Sequence, residues 1–308
     1  MLSGARILLT GASGLVGRAA ALRLAAAGAA VRALVHRASP PPGTEAVAGD
    51  LDDGDSLRGA LEGMDVVVHA AARLAGSPED LHRANVEGTS RLADLARGAR
   101  RFVLVSTTAV YAPGPLFDAD EESAVGPDEP YALSKLEAER AARRALGGRL
   151  TVLRAVTVYR TGPCPFVAAL AHLVREEALP LVGEGRVPID FVHADDLASA
   201  VVGAAEGRGP GATFNVAGPE PAPLRELLDS VAARLGVAPG WLPAARPGDP
   251  PSAALAPPDR FAPPLYAAAA VQRTVSIARA RRELGYAPTR SWRVEVPWAV
   301  DALRGPGP

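Results

Sequence analysis

The stretch Thr10-Gly11-Ala12-Ser13-Gly14-Leu15-Val16-Gly17 decides the fold that this chain is expected to adopt. Residues 5–9, which precede it, read as a short buried strand. Residues 14–27 read as an Ala/Leu-rich helix that stops at Gly28, a residue suited to the left-handed conformation just past a helix end. A strand, a glycine turn and a helix in this order form the first half of a dinucleotide-binding unit. The sequence therefore predicts a nucleotide-cofactor site at the start of the chain.

The three glycines of this turn are each required for a physical reason. Gly11 lets the chain turn sharply off the strand, Gly14 has no side chain to block a pyrophosphate, and Gly17 lets the helix pack closely on the sheet. Free N–H groups at the start of the helix are expected to face the anion. A second strand at residues 31–35 follows in register. The residues predicted to hold the cofactor in this turn are Gly11, Ser13, Gly14, Leu15, Val16 and Gly17.

Composition restricts the classes of partner. A length of 308 residues allows one large domain or two unequal ones, and a net charge of −1 gives no electrostatic reason to expect nucleic acid or an anionic membrane. No apolar run approaches the ~20 residues of a membrane span, and no signal-peptide core precedes the glycine turn. The single cysteine, Cys164, excludes an internal disulfide and suits a reducing cytosol. We therefore expect a cytoplasmic protein that acts on a small molecule.

The residues after the second strand bear on the choice of cofactor. A site for NAD commonly has an acidic residue here that binds the ribose hydroxyls, whereas an arginine suits the 2′-phosphate of NADP. Arg37 therefore favours NADP(H) over NAD(H), and its alternative interpretation is a solvated surface arginine. Asp50 ends a predicted strand at residues 46–51. It is placed either to accept a hydrogen bond from an adenine amino group, beside Leu51, or to cap the helix that starts near Asp53.

Two further strands extend the pattern. Residues 65–72 form a continuous apolar run, typical of a parallel strand covered on both faces, and end in small residues that leave room for a ligand. Residues 85–89 begin a helix that runs to about Gly98, and residues 102–111 form a strand with hydroxyl side chains at its end. This alternation predicts an α/β fold with a doubly wound parallel sheet. The cofactor contacts predicted in these segments are Ala70, Ala71, Ala72, Asn85 and Ser106.

Tyr131 and Lys135 are predicted to form a proton-transferring pair. They stand four residues apart in a predicted helix that has Asp128 as its N-cap, Pro130 in its first turn and Gly147 at its end, so their side chains share one face. A phenol has a pKa of about 10, which is too high for easy proton exchange at neutral pH, and a nearby ammonium lowers that pKa. With a strand hydroxyl to hold the substrate oxygen, this pair can move a proton while a hydride moves to or from a nicotinamide.

Taken together, these motifs resemble those of the extended short-chain dehydrogenases/reductases, a family of NAD(P)-dependent epimerases, dehydratases and hydroxysteroid-type reductases. The resemblance spans nearly the whole chain. The matching segments are TGASGLVG at 10–17, GDL at 49–51, HAAA at 69–72, NVEGT at 85–89, STTAVY at 106–111, YALSK at 131–135, VHADDLA at 192–198, FNVAGPE at 214–220 and RARRELGYAP at 279–288.

The resemblance implies roles for particular residues. Tyr131 is the implied acid/base, and Lys135 is implied to bind the nicotinamide ribose and to lower the pKa of the tyrosine. Thr107 is implied to bind the substrate oxygen, with Ser106 as the runner-up. Members of the family often form homodimers through the helices after the NVEGT and YALSK segments, so a homodimer is an expectation here. The residues expected to contact the substrate are Thr107, Thr108 and Tyr111.

The expected architecture is a Rossmann-like domain with a smaller C-terminal substrate lobe. The first comprises residues 1–158 plus 189–216, and the lobe comprises residues 159–188 plus 217–308. Residues 150–154 and 189–192 are expected to be further strands of the main sheet. Within the lobe, residues 239–264 are proline-rich and are either a lid or a tether.

No metal site is predicted, since His193, Asp195 and Asp196 lack ligand spacing for a catalytic ion. Their segment is instead expected to begin a helix at Asp195 that runs to about Ala205.

One departure from the family pattern bears on the reaction. Nucleotide-sugar enzymes of the family usually carry an arginine that grips a diphosphate where this chain has Ile189, and Arg186 and Arg246 are the candidates to replace it. Isoleucine cannot pair with phosphate, which favours an NADP(H)-dependent oxidoreductase that reduces a ketone or aldehyde, or oxidises the alcohol. The alternatives are an NAD-dependent nucleotide-sugar 4-epimerase or dehydratase, and a redox-inactive NADP-binding sensor.

Overall fold

In a computed structural model, the described residues are 2–36, 39–162, 164–175, 181–182, 185–237, 244–245 and 272–303. The strands are β1 (Arg6–Thr10), β2 (Ala30–Val35), β3 (Glu45–Ala48), β4 (Val66–His69), β5 (Arg101–Thr107), β6 (Leu116–Ala119), β7 (Leu150–Ala155), β8 (Thr157–Tyr159), β9 (Leu181–Val182), β10 (Pro188–Ile189), β11 (Phe191–His193), β12 (Thr213–Val216), β13 (Ala222–Pro223), β14 (Ala244–Ala245) and β15 (Arg273–Val275). The helices are α1 (Leu15–Ala26), α2 (Gly54–Leu61), α3 (Pro78–Leu81), α4 (Gly88–Leu95), α5 (Pro130–Leu146), α6 (Pro165–Arg175), α7 (Ala194–Ala205), α8 (Leu224–Leu235) and α9 (Trp292–Leu303).

The central sheet has seven parallel strands in the order β3-β2-β1-β4-β5-β7-β12. Strand β1 pairs with β2 on one side and with β4 on the other. The strands that follow β1 are therefore added towards β3, whereas β4 and the later strands are added in the opposite direction. In open α/β sheets, ligands bind at such a reversal, outside the carboxyl ends of the strands. The predicted doubly wound α/β fold is confirmed, and the crevice lies between β1 and β4.

Both faces of the sheet are covered because alternate strand residues point in opposite directions. Ile7 and Leu9 face a core formed with α1 and α7, and Leu8 between them faces a core formed with α2, α4 and α5. All four residues of β4 are buried. The continuous apolar strands of the sequence follow directly from this double burial.

A third hydrophobic core lies among α6, α8 and α9 and includes Phe166, Leu228 and Trp292. Strands β13, β10, β15 and β6 form a separate four-stranded sheet. The segment around Ala280 and Leu284, which the sequence assigned to the substrate lobe, packs on the core formed with α1 and α7.

The predicted placement of residues 189–192 in the main sheet is wrong. Strand β10 joins the four-stranded sheet, and β11 pairs only with β8 among the described strands. The chain changes partner at Asp190, whose carboxylate accepts a hydrogen bond from the N–H of Val275 at 2.7 Å. The seventh strand of the main sheet is β12, which pairs with β7.

Helix boundaries also differ from the sequence prediction. The helix expected at residue 85 begins earlier, at Pro78, and contains a π-helical turn at His82–Glu87. Helix α5 has Glu129 rather than Asp128 as its N-cap. Helix α7 begins at Ala194, where the ring of His193 accepts a hydrogen bond from the N–H of Asp195 at 3.2 Å.

Some predictions fall outside the described residues: Arg37, Arg246 and the proline-rich segment 239–264, apart from residues 244–245. Within the described ranges, no group of three or more His, Cys, Asp or Glu side chains is arranged to hold a metal ion. No described helix is both long enough and apolar enough to cross a membrane.

Candidate active site

The glycine turn between β1 and α1 is constrained by the protein's own packing at two of its three glycines. Gly11 has a φ of +71°, and a Cβ there would lie 2.5 Å from the backbone nitrogen of Ala71. A Cβ on Gly17 would overlap the carbonyl oxygen of Gly11. Neither position can accept a side chain without a shift of the backbone. These two glycines therefore bring the turn, the helix and the end of β4 into close contact.

Gly14 is different, because the surrounding protein crowds it far less. It is exposed, it has a φ of −74°, and an added Cβ would lie 3.3 Å from the Gly11 carbonyl oxygen. It is the N-cap of α1 and supplies no side-chain hydrogen bond to the first helical turn. Ser13 is exposed beside it, and Leu15 and Val16 are half-buried. A pyrophosphate fits this bare, electropositive helix start, so the residues present match a dinucleotide cofactor.

A chain of buried polar groups lies at the end of β1 and β4. Thr10 Oγ1 is 2.6 Å from His69 Nδ1, and His69 Nε2 is 2.9 Å from Thr89 Oγ1 on α4. Burial, together with the charge of Lys135, lowers the pKa of His69 to about 3, so the ring is neutral. These buried hydrogen bonds join β1, β4 and α4 at the crevice. The sequence contained the histidine in its HAAA segment, but the threonine partners are distant in sequence and could not be paired with it.

Tyr131 and Lys135 lie one turn apart at the start of α5. Lys135 is 2% exposed, and its Nζ donates a hydrogen bond to the carbonyl oxygen of Val105 on β5 at 2.9 Å. Burial lowers the pKa of Lys135 to about 8, an effect that the charge of Glu139 opposes. Burial raises the pKa of Tyr131 to about 12. The predicted lowering of the tyrosine pKa is therefore not found, because desolvation of the phenol dominates.

The two hydroxyls considered for the substrate oxygen point in different directions. Thr107 is half-buried at the end of β5, and its Oγ1 accepts a hydrogen bond from the N–H of Ala109 at 3.2 Å, which leaves its own hydrogen free to donate. Ser106 is buried and donates to Glu139 Oε1 at 2.5 Å. Neighbouring strand residues face opposite sides of a sheet. The geometry favours Thr107, and the Ser106 hydroxyl is engaged inside the protein.

Tyr111, which the sequence assigned to the substrate, is an interior residue. It is 1% exposed, its hydroxyl donates to Asn215 Oδ1 at 2.8 Å, and the guanidinium of Arg154 lies 5.0 Å from its ring centre. A short 3₁₀ turn at Thr108–Val110 directs the tyrosine inward. Its predicted contact with substrate is therefore corrected to a packing role, whereas Thr108 remains half-buried beside Thr107.

Asn85 connects the loop after β4 to α5. Its amide nitrogen donates to the carbonyl of Arg73 and to Ser134 Oγ, both at 2.9 Å, and its Oδ1 accepts from the N–H of Arg73 at 2.8 Å. Ser134 in turn donates to the carbonyl of Tyr131 at 2.7 Å. Asn85 is buried in the π-helical turn. Its amide was predicted to contact the cofactor, but it braces the loop and helix that border the crevice.

The Asp50 carboxylate is held beside the end of β2. It accepts a hydrogen bond from the N–H of Asp52 at 3.0 Å and lies 3.0 Å from His36 Nδ1. The cap of α2 is Asp53, which accepts from the N–H of Asp55, so the helix-cap interpretation of Asp50 is wrong. The adenine contact stays a prediction. The other predicted contacts on this side are at the crevice edge: Leu51, Ala70 and Ala71, which are half-buried, and Ala72, which is exposed.

Comparison with known proteins identifies the family. Residues 7–217 match the model of the NAD dependent epimerase/dehydratase family. The 4-hydroxy-2-methyl-3-oxo-4-farnesyl-3,4-dihydroquinoline-1-oxide ketoreductase of Stigmatella aurantiaca is 34% identical, over 98% of this chain and 97% of its own. The 2-alkyl-3-oxoalkanoate reductase of Stenotrophomonas maltophilia is 33% identical, over 75% of this chain and 76% of its own.

A solved structure supports the same conclusion. A short-chain dehydrogenase/reductase superfamily protein from Agrobacterium tumefaciens, with bound NAD, superposes with a TM-score of 0.76 at 27% identity, and the match covers 97% of each chain. The glycine turn, the switch-point crevice and the Tyr/Lys helix described above are the features of this chain that suit a nicotinamide dinucleotide. The chain therefore belongs to the NAD dependent epimerase/dehydratase family and is an NAD(P)-dependent oxidoreductase.

Proposed function

We propose that the protein is a ketoreductase that reduces the ketone of a largely apolar small molecule and, in reverse, oxidises the secondary alcohol. The observation that carries this proposal is the environment of Ile189, which is 5% exposed and packs in the third core, among α6, α8 and α9, together with Phe166 and Phe191. An aliphatic side chain in an apolar core supplies no charge for the diphosphate of a nucleotide sugar. The names of two relatives support the same class, since one contains a 3-oxo group with a farnesyl chain and the other a 2-alkyl-3-oxoalkanoate.

In this mechanism the ketone oxygen receives two hydrogen bonds, one from the Thr107 hydroxyl and one from the Tyr131 phenol. The bound nicotinamide supplies the hydride that reduces the carbonyl carbon. Tyr131 transfers its proton to the developing alkoxide, so the product is a neutral alcohol. A pKa of about 12 keeps Tyr131 protonated at neutral pH, as a proton donor requires. The Lys135 ammonium, oriented by the Val105 carbonyl, stabilises the phenolate that remains.

The rate of reduction should fall as the pH rises through about 8. Lys135 carries its charge below that pKa and loses it above, whereas Tyr131 keeps its proton until about pH 12. We therefore expect kcat/KM for reduction to be level at neutral pH and to decline on the alkaline side with an apparent pKa near that of Lys135. A profile measured at several alkaline pH values checks this. A rate that stays level well above the pKa of Lys135 contradicts it.

We further propose that NADP(H) is the preferred cofactor, with Arg37 binding the 2′-phosphate. A charge-assisted hydrogen bond to phosphate contributes about 1.5–3 kcal/mol, so Arg37→Ser should weaken NADPH binding by at least about tenfold and leave NADH binding unchanged. Calorimetric titration of both proteins with both cofactors measures this. Equal affinities for the two cofactors in the unaltered protein, or a parallel loss of both in the variant, would show that Arg37 does not bind the 2′-phosphate.

The reaction class itself is tested with a substrate panel. Purified protein and NAD(P)H are mixed with 2-alkyl-3-oxo acids and esters, simple ketones and nucleotide sugars, and the absorbance of the reduced nicotinamide is followed. We expect apolar ketones to consume the cofactor and nucleotide sugars to leave it unchanged. Interconversion of a nucleotide sugar on tightly held NAD, with every ketone inert, would favour the 4-epimerase or dehydratase. Cofactor binding with no turnover of any compound would favour a sensor.

A further inference from the structure

Glu139 is a buried carboxylate one helical turn beyond Lys135. It is 7% exposed, and both of its oxygens are used. Oε1 accepts a hydrogen bond from Ser106 Oγ at 2.5 Å, and Oε2 accepts from Arg154 Nη2 at 2.8 Å. A buried charge is costly unless it is paired and hydrogen-bonded, and Glu139 meets both conditions. Among the acidic residues of this helix, it is the one whose charge acts on the buried ammonium.

The partners of Glu139 place it at the end of the strand that carries Thr107. Ser106 on β5 and Arg154 on β7 are directly opposite each other in the sheet. Glu139 therefore joins α5 to both strands at one point. The residue before Ser106 is Val105, whose carbonyl receives the Lys135 hydrogen bond. Two successive residues of β5 are thus bound to α5, and the next residue along the strand is Thr107.

We propose that Glu139 is a positioning residue of the active site, which keeps Lys135 protonated inside the protein and fixes the Tyr131 helix against the Thr107 end of β5. Its consequence for turnover rests on the proposed function. Its effect on Lys135 does not, because that effect concerns only proton binding at one side chain. A purely structural brace between α5 and the sheet would stabilise the fold and leave the proton affinity of Lys135 unaltered.

The charges around Lys135 determine the direction in which its pKa should change when Glu139 is neutralised. Burial lowers the pKa of Lys135 to about 8, and the negative charge of Glu139 raises it. The other titratable groups facing the site are neutral or cationic. His69 on β4 is neutral, since its pKa is about 3, and Tyr131 is protonated. Arg154 is a cation on the far side of Glu139. Removing the Glu139 charge therefore makes the ammonium less stable.

The sequence offers a direct measurement, because the chain has 33 Lys and Arg residues and Lys135 is its only lysine. Protein labelled with ¹³C at the lysine ε-carbon gives a single side-chain resonance, whose shift with pH reports the protonation of Lys135. We expect Glu139→Gln to lower the midpoint by about one pH unit or more. The alkaline limb of the kinetic pH profile should move to lower pH by the same amount.

Glu137→Gln is the matched control. Glu137 is on the same helix, but its side chain is 48% exposed and lies 3.3 Å from His82. Its loss should leave the Lys135 midpoint where it was. Because Glu139→Gln leaves Arg154 buried without its partner, a second variant, Glu139→Gln with Arg154→Leu, removes both charges and avoids that cost. A smaller downward shift is expected there, because loss of the Arg154 cation partly offsets loss of the carboxylate.

A Lys135 midpoint equal to that of the unaltered protein, in whichever of the two Glu139 variants folds, overturns the proposal. The titration uses neither substrate nor turnover, so its outcome is separate from that of the substrate panel. A shifted midpoint in a protein that reduces no ketone would sustain the role of Glu139 and reject the proposed function. Active ketone reduction with an unmoved midpoint would support the proposed function and reject the role of Glu139.

Discussion

Tyr131→Phe is expected to lower kcat for ketone reduction by about 10²- to 10⁴-fold and to leave cofactor affinity unchanged. The substitution removes the hydroxyl proposed to donate a proton to the alkoxide, while the ring keeps its volume on the first turn of α5. Lys135 and the glycine turn are untouched, so the groups proposed to hold the cofactor stay in place. Steady-state kinetics and calorimetric titration with NADPH separate the two effects.

Tyr111→Phe is the matched control, since it also removes a single phenolic oxygen. The Tyr111 hydroxyl donates to Asn215 inside the protein, so its loss should cost about 1–2 kcal/mol of unfolding free energy. Most of kcat should remain. If Tyr131→Phe kept near-normal activity, or if Tyr111→Phe lost as much activity as Tyr131→Phe, the assignment of the acid/base would fail.

Substituting alanine at the glycine turn should separate packing from cofactor binding. A Cβ at Gly17 would overlap the Gly11 carbonyl oxygen, so Gly17→Ala is expected to destabilise the fold by about 1–3 kcal/mol, the usual cost of forcing an atom into a packed site. A Cβ at Gly14 meets that oxygen at 3.3 Å and is otherwise exposed, and alanine is a poorer N-cap than glycine, so Gly14→Ala should cost less, about 0.5–1 kcal/mol.

The two variants should behave differently towards the cofactor. In Gly14→Ala, the methyl group occupies the space into which the pyrophosphate is expected to fit, so we expect affinity to fall by about tenfold to a hundredfold, equivalent to about 1–3 kcal/mol. Denaturant unfolding without cofactor measures stability, and calorimetry measures affinity. Undiminished cofactor binding by Gly14→Ala would show that the pyrophosphate lies elsewhere.

The central fold was predictable because its signals are local and repeated. The glycine turn after β1, the apolar strand β4 and the helix with Tyr131 and Lys135 are each indicated by the residue pattern of one short segment. The alternation of strands and helices then leaves few topologies, and the crevice between β1 and β4 follows from their order. This is why the family resemblance and the observed sheet agree.

What the sequence could not supply are contacts between distant residues. Ile189, Phe191 and Val192 are apolar side chains typical of a strand, but the local sequence does not show that β11 pairs with β8 and not with a strand of the main sheet. Asn85, Ser106 and Tyr111 carry polar groups in segments where ligand contacts are expected. Each is instead turned inward to a partner that only the folded chain supplies.

The composition contained one signal for the candidate site, the single lysine. Arginine replaces lysine at every basic position except 135. Lysine is a compact ammonium whose pKa responds strongly to burial, whereas the guanidinium stays charged and is larger. A buried position that must carry a cation with a pKa near 8 therefore requires lysine.

The proposed ketone reduction is tested most sharply by following deuterium from the transferring position of NAD(P)H during turnover of a 2-alkyl-3-oxo ester. We expect each molecule of alcohol formed to carry one deuterium on its carbinol carbon, with one cofactor molecule oxidised for each, over many turnovers. The contradicting result is a product free of deuterium with no net oxidation of cofactor, while a nucleotide sugar is converted on NAD that never leaves the protein.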